Sequence, residues 1–412
     1  MTTPRFLQIH TLQSYPAVLL NRDDSGLAKR LPFGGATRTR VSSQCLKRHW
    51  RTAEDDFAFS HIDGIEFGKR SRLVFLRAIL GYLVEKEGHD EKRTREIVTA
   101  LKDRVFPKSD EEANKYAKEN DKKDPLETEQ AFLLGEPEIG YLRQLVVRVL
   151  TGDQQLWDAL NQKPKKGKRT EFQKDLEDNL KALGQSSKLP AGLESALFGR
   201  MVTSDLIANT EAAIYVAHAF TVHTEESESD YFTVVDDLKD RASGDDAGSA
   251  GIFDMELTSG LFYGYVVVDV PGLVSNLEGC RSEDWLAGST DRTLAGKVVE
   301  HLCHLIAKVS PGAKLGATAP FGWSRLSLIE AGSRQPRSLA NAFRKPVPAK
   351  DGMEDEARKR LAGEIEKLDA AYGNGEVRRF TSVDDAAIPC GQRLPFDELA
   401  RWAAAVVRDG QA

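Results

Sequence analysis

The order of elements along this 412-residue chain predicts an α+β fold built on a ferredoxin-like sheet. Three observations predict it. Strand-like alternation recurs in "RFLQIHTLQ" (Arg5–Gln13), "EAAIYVAHAFTVH" (Glu211–His223), "LFYGYVVVDVPG" (Leu261–Gly272) and "WSRLSLIE". Amphipathic helices fall between the first and second of these and between the third and fourth. The remaining two intervals, 55–199 and 224–259, have a different texture and read as insertions. Without them the order is strand, helix, strand, strand, helix, strand, the split βαβ arrangement of RNA-recognition folds.

Each element follows from local pattern. In the first strand Phe6, Gln8 and His10 face opposite to Leu7, Ile9 and Thr11. Ser42 or Ser43 caps the helix "SSQCLKRHWRTAEDD". Interval 55–199 holds helical runs such as "RLVFLRAILGYLVEKEG" and "IGYLRQLVVRVLTG", joined by charged connectors. In the second strand Ile214, Val216, His218, Phe220 and Val222 share a face. Interval 224–259 is acidic and broken by glycines, with Tyr231 and Phe232 in its first third. A helix from about Ser289 to Val309 carries the stripe Leu294, Val298, Leu302, Leu305 and Val309. Helices near Glu354–Ala371 and Phe396–Val407 complete the chain.

Composition narrows the function classes. The formal net charge is −6, with 41% hydrophobic and 29% charged residues, as in ordinary globular proteins. No run of about 18 apolar residues suggests a membrane helix, and "MTTPRFLQIHTLQSYP" lacks a signal-peptide core. Cys45, Cys280, Cys303 and Cys390 are scattered, which points to reduced thiols in the cytoplasm and not to zinc or disulfides. Charge is segregated, however. Between Ser25 and Ala53 there is no Asp or Glu, while Lys29, Arg30, Arg38, Arg40, Lys47, Arg48 and Arg51 are basic. Lys47 and Arg51 share a helix face one turn past Ser42 and Gln44, a pattern suited to nucleic-acid phosphates. Arg22 and Lys29 approach from the preceding loop.

Other clusters weigh less. Asp23 and Asp24 would suit Mg²⁺-assisted phosphodiester cleavage, but most such pairs are turn residues. His218 and His223 lie on opposite strand faces, and His301, Cys303 and His304 lack a second half-site, so no metal is expected. "PGAKLGATAPFG" is Gly-rich without a Walker ending. "KPKKGKR" (Lys163–Arg169) concentrates Lys163, Lys165, Lys166, Lys168 and Arg169.

Several stretches together, "LNRDDSG", "FGGATRTRVSSQCLKR", "GRMVTSD", "YVAHAFTVH", "YFTVVDDL", "TSGLFYGY", "PGAKLGATAPF" and "SLANAF", resemble the CasC family. CasC is the backbone subunit of the type I-E CRISPR surveillance complex, Cascade. The resemblance implies a hand: an RRM-like palm (1–54, 200–223 and 260–412), helical fingers (55–199) and a β-hairpin thumb (224–259). It implies copies that polymerise head-to-tail along the spacer of CRISPR RNA and present it for pairing with target DNA. Large, small, 5′-handle-binding and 3′-hairpin-binding subunits, and through the complex a helicase-nuclease, would be partners. Carried over by position, Arg22, Lys29, Ser42, Gln44, Lys47 and Arg51 would hold guide phosphates. Met201 would wedge beside a displaced base, Tyr231 and Phe232 would belong to the thumb, and the 163–169 cations would touch target DNA. No catalysis and no cofactor are implied. The alternative is a metal-dependent RNase of a CRISPR backbone type using Asp23 or Asp24; a generic single-strand RNA chaperone is a third option.

Overall fold

A computed structural model describes residues 3–106, 124–162, 169–186, 189, 192–200, 209–234 and 251–412. The chain forms two compact units, one of Met1–Ile62, Tyr215–Val270 and Thr293–Ala412, the other of Asp63–Ile214 and Pro271–Arg292. Residues 200–214 and Pro271–Arg292 therefore group with the helical unit, whereas the motif-based division assigns them to the palm. Among the described residues no helix is long and apolar enough to cross a membrane.

The first unit is a sheet built around β1 (Phe6–Val18). A hairpin follows, β2 (Arg30–Phe33) and β3 (Ala36–Val41), then α1 (Ser43–Arg51). Two-residue hairpins favour turns with positive φ at both centres, and Gly34 (φ 62°) and Gly35 (φ 79°) supply them. A Cβ on Gly34 would also stand 1.6 Å from the Arg344 carbonyl oxygen. The Phe-Gly-Gly turn is thus a folding feature.

Outside this unit, the short strands β4 (Lys69–Ser71) and β5 (Phe132–Leu134) pair in the helical unit. The second predicted strand is not continuous. It is β6 (Ile214–Val216) and β7 (Ala219–Thr221), broken at Ala217 and His218, and burial from Ala219 to Val222 does not alternate. Both sides of β7 are covered, so the two-residue period that joined Ile214 to Val222 on one face loses its cause.

β8 (Glu226–Val234) pairs antiparallel with the first half of the long strand β9 (Gly251–Asp269), and the second half of β9 enters the core beside β1. Where β9 changes partners, a Cβ on Gly260 would stand 2.6 Å from the Thr221 methyl and 2.8 Å from His223 Nε2. β10 (Ser324–Gly332), β11 (Val377–Ser382) and β12 (Gly391–Arg393) extend the other side. The strand order is β12-β11-β10-β1-β9-β7-β3-β2. Its central four, β10-β1-β9-β7, are the fourth, first, third and second core strands, all antiparallel to their neighbours. That is the predicted ferredoxin-like order.

Both faces of the sheet are covered. On one, α1, Thr293–Lys308 and Phe396–Asp409 are the amphipathic helices, and Leu46, Trp50, Ile306 and Val309 close over Ile9, Phe262 and Val266. On the other, Leu12, Tyr263, Leu328 and Phe380 pack under Leu339, Phe343, Leu361 and Ile365 from the stretch that includes the helix Met353–Tyr372. Each fully buried aliphatic of this kind contributes about 1.5–3 kcal/mol. The face that a minimal RNA-recognition fold leaves open is therefore occupied by the chain itself.

A polar network lies beneath that cover. The Glu330 carboxylate, fully buried, accepts from Arg337 (2.7 and 3.0 Å), from Arg378 Nε (2.6 Å) and from His10 Nε2 (3.2 Å). Burial holds the His10 pKa below its usual 6.5, so the ring is neutral. Its Nε2–H then faces Glu330, and Nδ1 accepts from the Tyr263 hydroxyl at 2.9 Å. The Tyr263 oxygen in turn accepts from the Leu339 amide at 3.0 Å. Despite burial, the hydrogen bonds from His10 and Arg337 and the guanidinium charge of Arg337 hold Glu330 well below the usual carboxylate range.

The second unit is helical. A π-helical turn, Val74–Gly81, continued by Tyr82–Glu85, and the helices Glu91–Val105, Glu136–Leu150, Gln154–Asn161 and Glu171–Ser186 bury Phe75, Leu83, Ile97, Leu101, Leu142, Val146, Leu160 and Leu176 together. Asp90 and Asp153 cap two of them by accepting the Arg93 and Leu156 amides. Arg200 and Glu138 form a buried ion pair at 2.6 Å.

Glu330→Gln removes the charge facing two guanidinium groups, and we expect a loss of about 3–5 kcal/mol in urea unfolding, since one partner of a buried ion pair is deleted. The wild-type protein should also lose stability as pH falls. His10 is held below 6.5 in the fold, so its contribution is present above 6.5 and is lost below it; that of Glu330 is lost below about its usual 4.5. Unfolding curves that are flat between pH 7 and 4 would contradict this assignment.

Candidate nucleic-acid interface

The acid-free stretch folds as loop, hairpin and helix, and its cations separate by environment. Arg38 is fully buried; its guanidinium donates to the carbonyls of Thr221 (2.9 Å), His223 (3.2 Å) and Phe343 (2.9 Å). Arg30 pairs with both Glu225 and Glu256, which stand at the base of the β8–β9 hairpin. Arg40 donates from Nε to the Arg30 carbonyl (3.0 Å) and lies 3.2 Å from His218 Nδ1. These three arginines serve the fold. Lys29, Lys47 and Arg51 are half-buried, whereas Arg22 and Arg48 are exposed. Burial lowers the Lys47 pKa.

The start of α1 is more fully satisfied than the sequence suggests. Ser42 is the N-cap, its hydroxyl accepting from the Cys45 amide at 3.3 Å. The Ser42 amide donates to Asn21 Oδ1 (2.9 Å), and the Ser43 amide to His218 Nδ1 (3.3 Å). Among the described residues, the first-turn amide with no partner is that of exposed Gln44. A phosphate at this end would meet one amide, the Gln44 side chain and the surrounding cations. It would not meet an open row of N–H groups. Leu46 and Trp50 turn inward, which fixes the roll of the helix.

Sequence reasoning set His218 on the face of a continuous strand and expected no metal there; the structure leaves it exposed at the strand break, where it serves as an acceptor for α1. Desolvation first, then the charges of Arg40 and Lys29, lower its pKa, which keeps Nδ1 free to accept. No local signal marks it, because its partner lies far away in sequence.

An open cleft is lined by Asp23, Asp24, Ala28, Lys29, Arg30 and Arg40. Asp23 is a turn residue here. Its Oδ1 accepts from the amides of Ser25 (2.9 Å) and Leu27 (3.0 Å). Arg22 bridges back to Ala28 across the same loop. Among the described residues no three His, Cys, Asp or Glu gather as a metal site would require.

On the hairpin Tyr231 and Phe232 are exposed, by 64% and 38%. Phe253, which sequence analysis did not single out, lies opposite Phe232 and stacks on it at 5.5 Å between centroids. Arg169 pairs with Glu177. Met201, Lys163, Lys165, Lys166 and Lys168 lie outside the described residues.

The family described as CT1975-like protein matches residues 7–402. No curated protein matches. A solved chain described as "CRISPR RNA-guided surveillance complex, pre-nicking" is 25% identical and superposes with a TM-score of 0.75, covering 98% of this chain and 100% of that one. Another, described as "CRISPR RNA-guided surveillance complex", is 20% identical with a TM-score of 0.55 and shares the fold over 97% of this chain and 98% of its own length.

Ser42→Ala should cost about 1 kcal/mol of stability through the lost cap, read from thermal unfolding. Lys47→Ala with Arg51→Ala should flatten the dependence of single-strand RNA affinity on salt by about 0.7 log units per phosphate contact removed. An unchanged slope would clear the two side chains of phosphate contact.

Proposed function

The chain belongs to the CT1975-like protein family, and from that premise we propose that it is a non-catalytic, RNA-binding backbone subunit of a CRISPR surveillance complex, of the CasC kind found in type I-E. The end-to-end correspondence with a chain of an RNA-guided surveillance complex carries this reading. The acid-free stretch supports it. In a protein of net charge −6, Arg22, Lys29, Lys47, Arg48 and Arg51 gather on α1 and the loop before it. Contacts of that kind hold a backbone without reading bases, so any spacer is accepted. Sequence recognition then falls to pairing between guide and target DNA.

With both sheet faces covered, guide RNA would run along the edge marked by α1, Lys29 and the hairpin. Further copies would bind head-to-tail on the same RNA, with the exposed aromatic residues of the hairpin beside the strand. Other subunits of the complex would cap this filament, in the cytoplasm.

The runner-up is a backbone RNase cutting with Asp23 or Asp24. The use of Asp23 Oδ1 as a turn acceptor favours the non-catalytic reading. Two experiments test it. Electron microscopy of the protein co-expressed with CRISPR RNA should show helical ribonucleoprotein; RNA-free monomers would refute the proposal. Incubation of the complex with complementary RNA and Mg²⁺ should leave the RNA intact, whereas periodic cuts abolished by Asp23→Ala or Asp24→Ala would establish the nuclease.

A further inference from the structure

A second stretch of this chain also lacks acids, from His301 to Ile329. The fold joins it to the first. His49 Nε2, on α1, accepts from the Gly312 amide at 3.4 Å, and the Leu19 carbonyl accepts from the Ala313 amide at 2.8 Å. The Tyr15 hydroxyl donates to Ser310 at 3.1 Å. Leu46 and Trp50 of α1 line one small cavity with Ile306 and Val309. The two acid-free stretches therefore meet at one end of the sheet unit.

They present different groups there. The first offers cations. The second offers two large aromatic side chains, Phe321 at 77% and Trp323 at 70% exposure, separated by Gly322. The Gly322 amide donates to the Ser310 hydroxyl and its carbonyl accepts from it, both at 3.1 Å, and a Cβ at this position would stand 2.9 Å from the Ser14 carbonyl oxygen. Lys308 stands over the Trp323 ring at 5.4 Å and over the Phe57 ring, six residues beyond Arg51, at 5.3 Å. Its neighbour on the third side is Phe396, at 5.6 Å. A cation thus sits between Phe57, in the segment after α1, and an exposed indole. Asp55 and Asp397, which act on the adjacent His304, belong to neither acid-free stretch.

We infer that Trp323 and Phe321 form a base-stacking platform for single-stranded RNA whose phosphates lie on the cations of α1, Lys29 and Lys308. The inference rests on the RNA-binding function proposed above and adds to it a site for bases. Exposed aromatic side chains beside a cationic track are the usual means of holding single strands without sequence preference. Their location beside the cations, with no acidic side chain in either run, favours a polyanion over an apolar protein partner. Stacking on an indole also leaves the hydrogen-bonding edge of a base unread, which suits a strand of arbitrary sequence.

The test is a titration of the full-length, RNA-free protein with oligouridylate, read by tryptophan fluorescence and by filter binding at several salt concentrations. Of the five tryptophans, Trp50, Trp285 and Trp402 are buried and Trp157 is half-buried against the helical core with Arg93 over its ring, so quenching on binding should come chiefly from Trp323 and should largely vanish in Trp323→Phe but persist in Trp157→Phe. Trp323→Ala and Phe321→Ala should each weaken binding by about tenfold, with an unchanged salt slope, and Trp323→Tyr should restore most of the affinity. Both side chains are exposed, so an unchanged melting temperature would confirm that the variants are folded. Wild-type affinity in both alanine variants, with no quenching in the parent, overturns the platform and leaves the proposed function standing. Normal RNA affinity with loss of self-association assigns the aromatic residues to a protein interface and overturns it equally. If the unsubstituted protein binds no RNA, the proposed function fails and the platform with it.

Discussion

The buried carboxylate of Glu330 is the constraint on which the sheet unit depends. It joins β1 through His10, β11 through Arg378 and the start of the covering segment through Arg337, with Tyr263 relaying the order to Leu339. A charge buried this deeply is stable only when its partners are fixed, so the network specifies how Leu339–Tyr372 lies on the sheet. The apolar layer of Phe343, Leu361 and Ile365 supplies the burial energy, and the polar layer supplies the register.

That cover redirects function. A bare ferredoxin-like sheet offers its open face to RNA through aromatic side chains on the central strands. Here the central strands carry His10, Tyr263 and Tyr265, of which His10 engages Glu330, Tyr263 engages His10 and Tyr265 engages Gln8; His10 and Tyr263 are buried and Tyr265 is half-buried. The aromatic residues of the third core strand thus serve the fold. Polar chemistry moves to the rim, where α1, the β2–β3 hairpin and the base of β8–β9 converge.

At the rim, charge is sorted by pairing. Arg38 is spent on three carbonyls, which no carboxylate reaches, and Arg30 is neutralised by Glu225 and Glu256. Those two acids belong to the same hairpin stretch that looked uniformly acidic in sequence. Their pairing fixes the hairpin base to the basic loop, and Met255, Leu19 and Ala28 pack beside it. The electrostatic contrast between stretch and hairpin is therefore partly consumed inside the fold, and what remains for a ligand is narrower than seven cations.

The element order, the Ser42 cap and the kinship with CRISPR backbone proteins were legible in the sequence, because each rests on local periodicity, local hydrogen bonding or an ordered series of motifs. The strand break at Ala217 and His218, the duty of His218 toward α1 and the stacking of Phe253 on Phe232 were not. Each depends on a partner dozens or hundreds of residues away. Nor does composition tell a buried cation from a half-buried one: Arg38, held by three carbonyls, and Lys47 read alike in the chain. Sequence by itself determined what most local segments become and the broad kinship with CRISPR backbone proteins. Only the tertiary structure decided which charges are consumed, because that depends on distances of about 3 Å between groups that nothing but folding brings together.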